Sequence, residues 1–178
     1  MLFYRPENKK KALEILAREG ELLLPVAGCT DVAVGKHEKV AKTDSIIDLS
    51  LLGELKYIRE EDDFIEIGAL ATHAEIAGSN IIRNYAKVLS DACQTVGSPQ
   101  IRNRGTIGGN ISHASPSGDS IPALMSLNAE FILESENGAR QISAVEYFIG
   151  PGKTVRKKNE LLVAIRFKKT GKGYKHCF

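Results

Sequence analysis

Apolar positions along the chain fall into short groups whose spacing changes from helical to alternating and back. In "ENKKKALEILAREG", Leu13, Leu16 and Ala17 share one face of a helix. Asn8 is placed to cap its start and Gly20 to end it. "LLLPVAG" reads as a short buried strand running into a glycine, and Thr30 or Asp31 in "CTDVAVG" can open a short helix. "SIIDLS" is a second buried strand. This strand–helix–strand order predicts a small parallel lobe.

The pattern changes near Leu55. "LKYIRE" and "DFIEIGAL" predict two strands joined by the acidic turn "EEDD". "THAE" is a capping box, with Thr72 and Glu75 able to satisfy each other's exposed backbone donors. A longer helix is predicted from about Asn80, because Ile82, Tyr85, Ala86, Leu89, Cys93 and Val96 recur three and four apart. Farther on, Ala129, Phe131 and Leu133 alternate in "AEFILES", "ENGAR" is a turn, and a second box, "SAVE", opens a short helix. "ELLVAIRF" is the last strand. Segregated helices and hairpin-like strand neighbours predict an α+β second lobe, and no internal repeat is present.

Composition narrows the class. The chain has 178 residues, 43% hydrophobic and 26% charged, as in an ordinary globular domain of one or two lobes. A net charge of +2, evenly spread, argues against nucleic-acid and membrane-surface binding. The lysines of "VRKKNE" and "FKKTGKGYKH" read as solvated surface. No apolar run resembles a signal peptide or a membrane span, so a cytoplasmic protein is expected. Cys29, Cys93 and Cys177 are widely separated and form no C-x-x-C pair, which supports neither a disulfide framework nor a metal site. His37, His73 and His176 are isolated and equally poor metal candidates.

The polar stretch "RNRGTIGGNISHASPSGD", residues 102–119, interrupts this pattern. It holds one of two glycine-centred turns, "TIGGNI" at 106–111; the other is "VAGCTDV" at 26–32. Glycine admits positive φ and close approach, and successive amides in such turns can converge on an anion such as a diphosphate. Each has a plainer reading: Gly28 starts a loop, and "GGN" is a hairpin turn. Gly105, Gly108 and Gly109 do not make G-x-G-x-x-G, and no G-x-x-x-x-G-K-[ST] is present. Ser112, His113, Ser115 and Asp119 hold the ingredients of a hydrolase triad without a G-x-S-x-G elbow, so nucleophilic catalysis is not supported. Asp119 can cap the helix begun by "SIPALMSL" or accept a hydrogen bond from a sugar hydroxyl.

In combination, "VAGCTD", "IRNRGTIGGNISHASPSGD", "ELLVAIRF" and "GYKHCF" resemble, across essentially the whole chain, the FAD-binding medium subunit of the molybdenum hydroxylases, the family of xanthine dehydrogenase and carbon monoxide dehydrogenase. The family's usual forms are close to GGTD, IRN-x-ATIGGN and ASP-x-x-D. The resemblance implies an α+β, two-lobed fold of the vanillyl-alcohol oxidase type, a small parallel βαβ lobe followed by a mainly antiparallel sheet with helices. The expected division is 1–54 for the N-terminal lobe and 55–178 for the second. Members normally continue into a further small domain, so a chain ending at Phe178 is expected to lack it.

FAD is the implied cofactor. By motif match, Pro25, Val26, Ala27 and Gly28, with Cys29, Thr30, Asp31 and Val32, form the first FAD loop. Thr106, Ile107, Gly108, Gly109 and Asn110 form the second. Asp119, with Ser115 in the same motif, is implied at the FAD sugar or ribityl region, Leu162 near a ring, and Lys175 as a late lysine reaching the cofactor. Cys29 replaces the second glycine of GGTD, and Val96 stands where some members carry an aromatic residue. No catalytic residue and no metal ligand is expected. The implied activity is electron transfer in an oxidoreductase complex with an iron–sulfur (2Fe-2S) small subunit and a molybdopterin-containing large subunit, passing electrons through FAD to NAD or another acceptor. Two alternatives stand beside it: a truncated, non-catalytic nucleotide-binding module, and a reductase acting alone.

Overall fold

The computed structural model describes residues 2–20, 23–34 and 45–169, without the side chains of residues 33 and 34. Strand β1 (Leu2–Tyr4) leads into helix α1 (Lys9–Glu19), whose Asn8 side chain accepts a hydrogen bond from the Lys11 amide as the cap position predicts. Strand β2 (Leu23–Val26), helix α2 (Thr30–Val34) and strand β3 (Ser45–Asp48) follow. The three strands form a parallel sheet in the order β1-β3-β2. Of these three strands, β1 alone went unread, because three residues carry no periodicity.

A five-stranded antiparallel sheet holds β4 (Ile58–Glu60), β5 (Phe64–Gly68), β6 (Glu130–Ser135), β7 (Gly138–Ser143) and β10 (Leu161–Lys168), in the order β4-β5-β10-β6-β7. A small hairpin, β8 (Phe148–Gly150) with β9 (Lys153–Thr154), stands apart. β10 is central and buried on both faces, which is why it reads as an almost unbroken apolar run. Its pairing with β6 slips between Leu162 and Ala164. The slip puts Val163 and Ala164 in the same core, beside Leu13, Leu16, Leu23 and Ile47, while Leu162 and Ile165 join the helix-side core.

Between β5 and β6 lie six helices: α3 (His73–Gly78), α4 (Asn80–Tyr85), α5 (Lys87–Thr95), α6 (Pro99–Arg104), α7 (Ile107–His113) and α8 (Ser120–Ser126). A further helix, α9 (Ala144–Tyr147), follows β7. The Thr72–Glu75 capping box forms at the start of α3 with both reciprocal bonds. At the second box the Ser143 side chain caps the Glu146 amide, but the Glu146 carboxylate takes the Ser143 hydroxyl.

The single long helix expected from Asn80 is instead two. Ala86, at φ −149° and ψ 55°, breaks it, and the apolar spacing carries across the break because α4 and α5 bury neighbouring faces in one core. The stretch read as glycine turns is also corrected. Ser98 caps α6 with Pro99 at its first position, and "TIGGNI" is the opening of α7, capped by Thr106, rather than a turn. Among the described residues, no helix is long and apolar enough to cross a membrane.

Candidate functional site

A cleft of about 470 Å³ runs between the two sheets and the helices that follow β5. One wall is the end of β2 and the loop leaving it, from Pro25 through Gly28 and Cys29 into α2. The facing wall is the start of α7, with Thr106, Gly108, Gly109 and Asn110. Leu24, Leu49, Leu55, Leu70, Leu161 and Leu162 make an apolar section where the two sheets meet.

Gly28 is fixed by close approach. A Cβ there would lie 2.0 Å from the Arg104 carbonyl oxygen, so the β2 loop rests directly on the end of α6. Cys29 differs: its φ of +61° is left-handed, the conformation that glycine adopts without strain. This accounts for the glycine usual at that place, and a non-glycine residue there costs about 1–2 kcal/mol. The amides of Gly28 and Cys29 have no partner among the described residues. Two adjacent free amides around a left-handed residue make a concave donor pair suited to an anion.

The second glycine segment works otherwise. Ile107 donates its amide to Ala71 O at 2.9 Å, Gly108 to Ala69 O at 2.9 Å, and Gly109 to Thr106 Oγ1 at 3.1 Å. The first two bind α7 to the segment after β5, and the third closes the helix cap. The glycines serve contact: a Cβ on Gly108 would meet Ala69 Cβ at 2.7 Å, whereas one on Gly109 would meet only Thr106 Oγ1, at 2.9 Å. Gly109 therefore presents a bare Cα surface to the cleft.

Polar groups tie the walls together. His113 Nδ1, at the end of α7, lies 3.1 Å from Asp31 Oδ2 on α2. His73, the first residue of α3, is on the cleft wall although only 2% exposed. Burial pushes its imidazole down to about 4, partly opposed by Asp31 and Asp119. Its Nδ1 is sealed and has no hydrogen-bond partner among the described residues. Arg156 also lines the cleft, with Nη1 held by the carbonyls of Glu160 at 2.7 Å and Lys157 at 3.2 Å.

Of the expected residues, Pro25 to Val32, Thr106, Gly108, Gly109, Asn110 and Leu162 are brought to one cleft, and Val96 joins them. Ile107 is not at its surface; it is fully buried in the helix-side core. Ser115 is outside the lining and pairs with the Ser117 hydroxyl at 3.0 Å. Asp119 caps no helix amide; its Oδ2 accepts from Thr95 Oγ1 at 3.1 Å. Lys175 lies outside the described residues. His73 and Arg156 were missed: His73 carries a signal only as the residue after a cap, and nothing in the pattern around Arg156 marks it. Among the described residues, no group of His, Cys, Asp and Glu is arranged to hold a metal.

The chain matches the family described as the FAD binding domain in molybdopterin dehydrogenase over residues 1–168. It is 40% identical over 151 residues to the nicotinate dehydrogenase FAD-subunit of Eubacterium barkeri, covering 84% of this chain and 51% of that one. The carbon monoxide dehydrogenase medium chain of Hydrogenophaga pseudoflava is 32% identical over 164 residues, 92% of this chain and 57% of that one. A solved carbon monoxide dehydrogenase from the same organism, lacking the Mo-pyranopterin moiety, superposes with a TM-score of 0.92 at 31% identity, covering 97% of this chain and 60% of that chain. The chain thus spans just over half the length of these relatives. The amides at Gly28 and Cys29, unpartnered among the described residues, and the Cα surface of Gly109 suit a phosphate-bearing cofactor such as FAD.

Proposed function

Because the chain belongs to the family of FAD-binding domains of molybdopterin dehydrogenases, we propose that it is the flavin-holding, electron-transfer part of a molybdenum hydroxylase complex. The observation that carries this reading is the meeting of two glycine-bearing segments across one cleft, with Gly28 seated on the Arg104 carbonyl. When bound, FAD supplies a centre that exchanges single electrons with iron–sulfur clusters and an electron pair, as hydride, with NAD or another acceptor.

The chain's own residues bind and orient. The Gly28 and Cys29 amides would hold the diphosphate, and Gly109 would let it approach α7 closely. Thr106 and Asn110, on the α7 wall, would complete the diphosphate loop; Asp119 with Ser115, which stand beside the lining rather than in it, would serve the sugar and ribityl side, Leu162 a ring, and Lys175 a further charge. No residue here is asked to act as acid or base. The reading divides the chain into lobes at 54/55 and places it in the cytoplasm. Its partners are a 2Fe-2S small subunit and a molybdopterin-containing large subunit.

The test is an absorbance spectrum after incubation with FAD and desalting, on the wild type and on Gly109→Asp. The substitution puts a carboxylate on the cleft wall, facing the diphosphate. Flavin bands kept by the wild type and lost by a folded variant support the reading. Flavin retained equally by both overturns the placement of the diphosphate. A wild type that holds no flavin, alone or with the partner subunits, favours a non-catalytic module.

A further inference from the structure

Among the described residues, His73 is the one imidazole set into the wall of the cleft with a sealed, unpartnered nitrogen, and the reading above gives it no task. Its backbone amide donates to Gly105 O at 3.0 Å, which anchors the start of α3 to the residue before α7's cap. The ring lies next to the β2 loop: a Cβ on Gly105 would meet His73 Cδ2 at 3.3 Å and Thr30 Oγ1 at 3.4 Å. His73 thus stands beside the wall that carries the free amides of Gly28 and Cys29.

The two ring nitrogens are not equivalent. Nδ1 is shut away from solvent with no hydrogen-bond partner, whereas Nε2 is not sealed in this way and has no side-chain partner among the described residues. Nε2 is therefore the nitrogen that borders the cleft. The ring is neutral near pH 7, so it carries one N–H and one lone pair. An orphaned buried N–H is rarer in proteins than an under-satisfied acceptor, which favours the lone pair at the sealed Nδ1 and the proton at Nε2. The nearby carboxylates are engaged elsewhere, Asp31 with His113 at 3.1 Å and Asp119 with Thr95 at 3.1 Å.

We propose that His73 donates a hydrogen bond from Nε2 to a phosphate oxygen of the nucleoside diphosphate moiety bound in the cleft, which makes it a positioning residue for the cofactor outside the two glycine segments. This rests on the reading of the cleft as a dinucleotide site. A lone phosphate acceptor makes the bond charge-assisted, and the low exposure of the ring protects it from water.

The experiment is calorimetric titration of the full chain with FAD, ADP and riboflavin, the last having no phosphate. It compares the wild type with His73→Leu and His73→Gln. Loss of one charge-assisted hydrogen bond predicts roughly 10- to 100-fold weaker FAD and ADP binding in the Leu variant. The Gln variant, which keeps an N–H near the same place, should recover most of the loss, and riboflavin should respond alike to all three. Equal ADP affinity in wild type and Leu overturns the proposal. So does an equal loss in Leu and Gln, which marks a packing role, or a parallel loss of riboflavin. A wild type that binds neither FAD nor ADP overturns the dinucleotide reading and the proposal together, whereas normal FAD binding with an unaffected Leu variant overturns the proposal alone. Nitrogen-15 spectra of the wild-type imidazole give a check independent of any variant's folding. The Nε2–H form, with an Nε2 shift that moves on adding ADP, is expected; an Nδ1–H form overturns the assignment.

Discussion

His113 Nδ1 lies 3.1 Å from Asp31 Oδ2, joining the end of α7 to the first turn of α2 across the cleft. The two side chains are 31% and 54% exposed, so the pair is worth less than about 1 kcal/mol to the fold. Its effect should fall on the cleft. His113→Gln is expected to leave the melting temperature within a few degrees of wild type and to speed FAD release several-fold, measured by flavin fluorescence after dilution. An unchanged release rate would show that the clasp does not restrain the walls.

Gly28→Ala tests close approach against conformational freedom. The new Cβ would lie 2.0 Å from backbone oxygen, which cannot rotate away, so the loop must move. A loss of about 2–3 kcal/mol in urea unfolding is expected, with little flavin retained. Gly53→Ala, where a Cβ meets nothing within 4 Å, is the control and should be neutral or slightly stabilising.

Cys29 carries the opposite prediction. Its left-handed φ of +61° strains any L side chain, so Cys29→Gly should relieve about 1–2 kcal/mol while giving back about 0.5–1 kcal/mol in chain entropy. The net effect is near zero or mildly stabilising, with flavin affinity kept. Cys29→Val, branched at Cβ, should lose about 1 kcal/mol or more and weaken flavin binding. Equal stability of the wild type and both variants would mean that the loop relaxes out of this conformation.

Much of this arrangement is legible in the chain because local rules and burial agree. Asn8, Thr72 and the alternation of Ala129, Phe131 and Leu133 each specify an element that the fold keeps. The division into α4 and α5 is not legible, since the apolar series through Ala86 fits one helix as well as two packed ones. In "TIGGNI", composition points to a turn, but Thr106 caps a helix whose glycines are needed for contact with Ala69. Most of the residues that meet in the cleft are ones motif resemblance picks out. It does not pick out His73 and Arg156, because burial and an unpartnered nitrogen are tertiary facts.

Glu66 should separate stability from cofactor binding. Buried on β5, it accepts from Tyr57 Oη at 2.7 Å, Arg59 Nη2 at 2.6 Å and Arg166 Nη2 at 2.6 Å. Burial raises its carboxyl, while Tyr57, Arg166 and Arg59 lower it further, and the net result is below the usual carboxylate range. It does not line the cleft. Glu66→Ala is expected to cost about 3 kcal/mol, because two guanidinium groups and a hydroxyl lose their common acceptor, with flavin affinity of the folded fraction unchanged. A parallel loss of affinity would mean that β5 is coupled to the site.

The pH dependence of stability is the sharpest test of the buried His73. Its native value of about 4 lies below the ordinary 6.5, so between these values the unfolded chain binds a proton that the native imidazole does not. The sign follows: this group leaves stability untouched above about pH 6.5 and subtracts from it as pH falls toward 4. The full penalty is about 3 kcal/mol. That figure already includes Asp31 and Asp119, which act on the ring to raise its value against burial. Urea midpoints measured from pH 7.5 to 4.5 should therefore fall more steeply in the wild type than in His73→Gln, which has no proton to gain. Parallel curves would mean that the imidazole reaches a proton or a partner in the native state, and the neutral donor assigned to it would have to be abandoned.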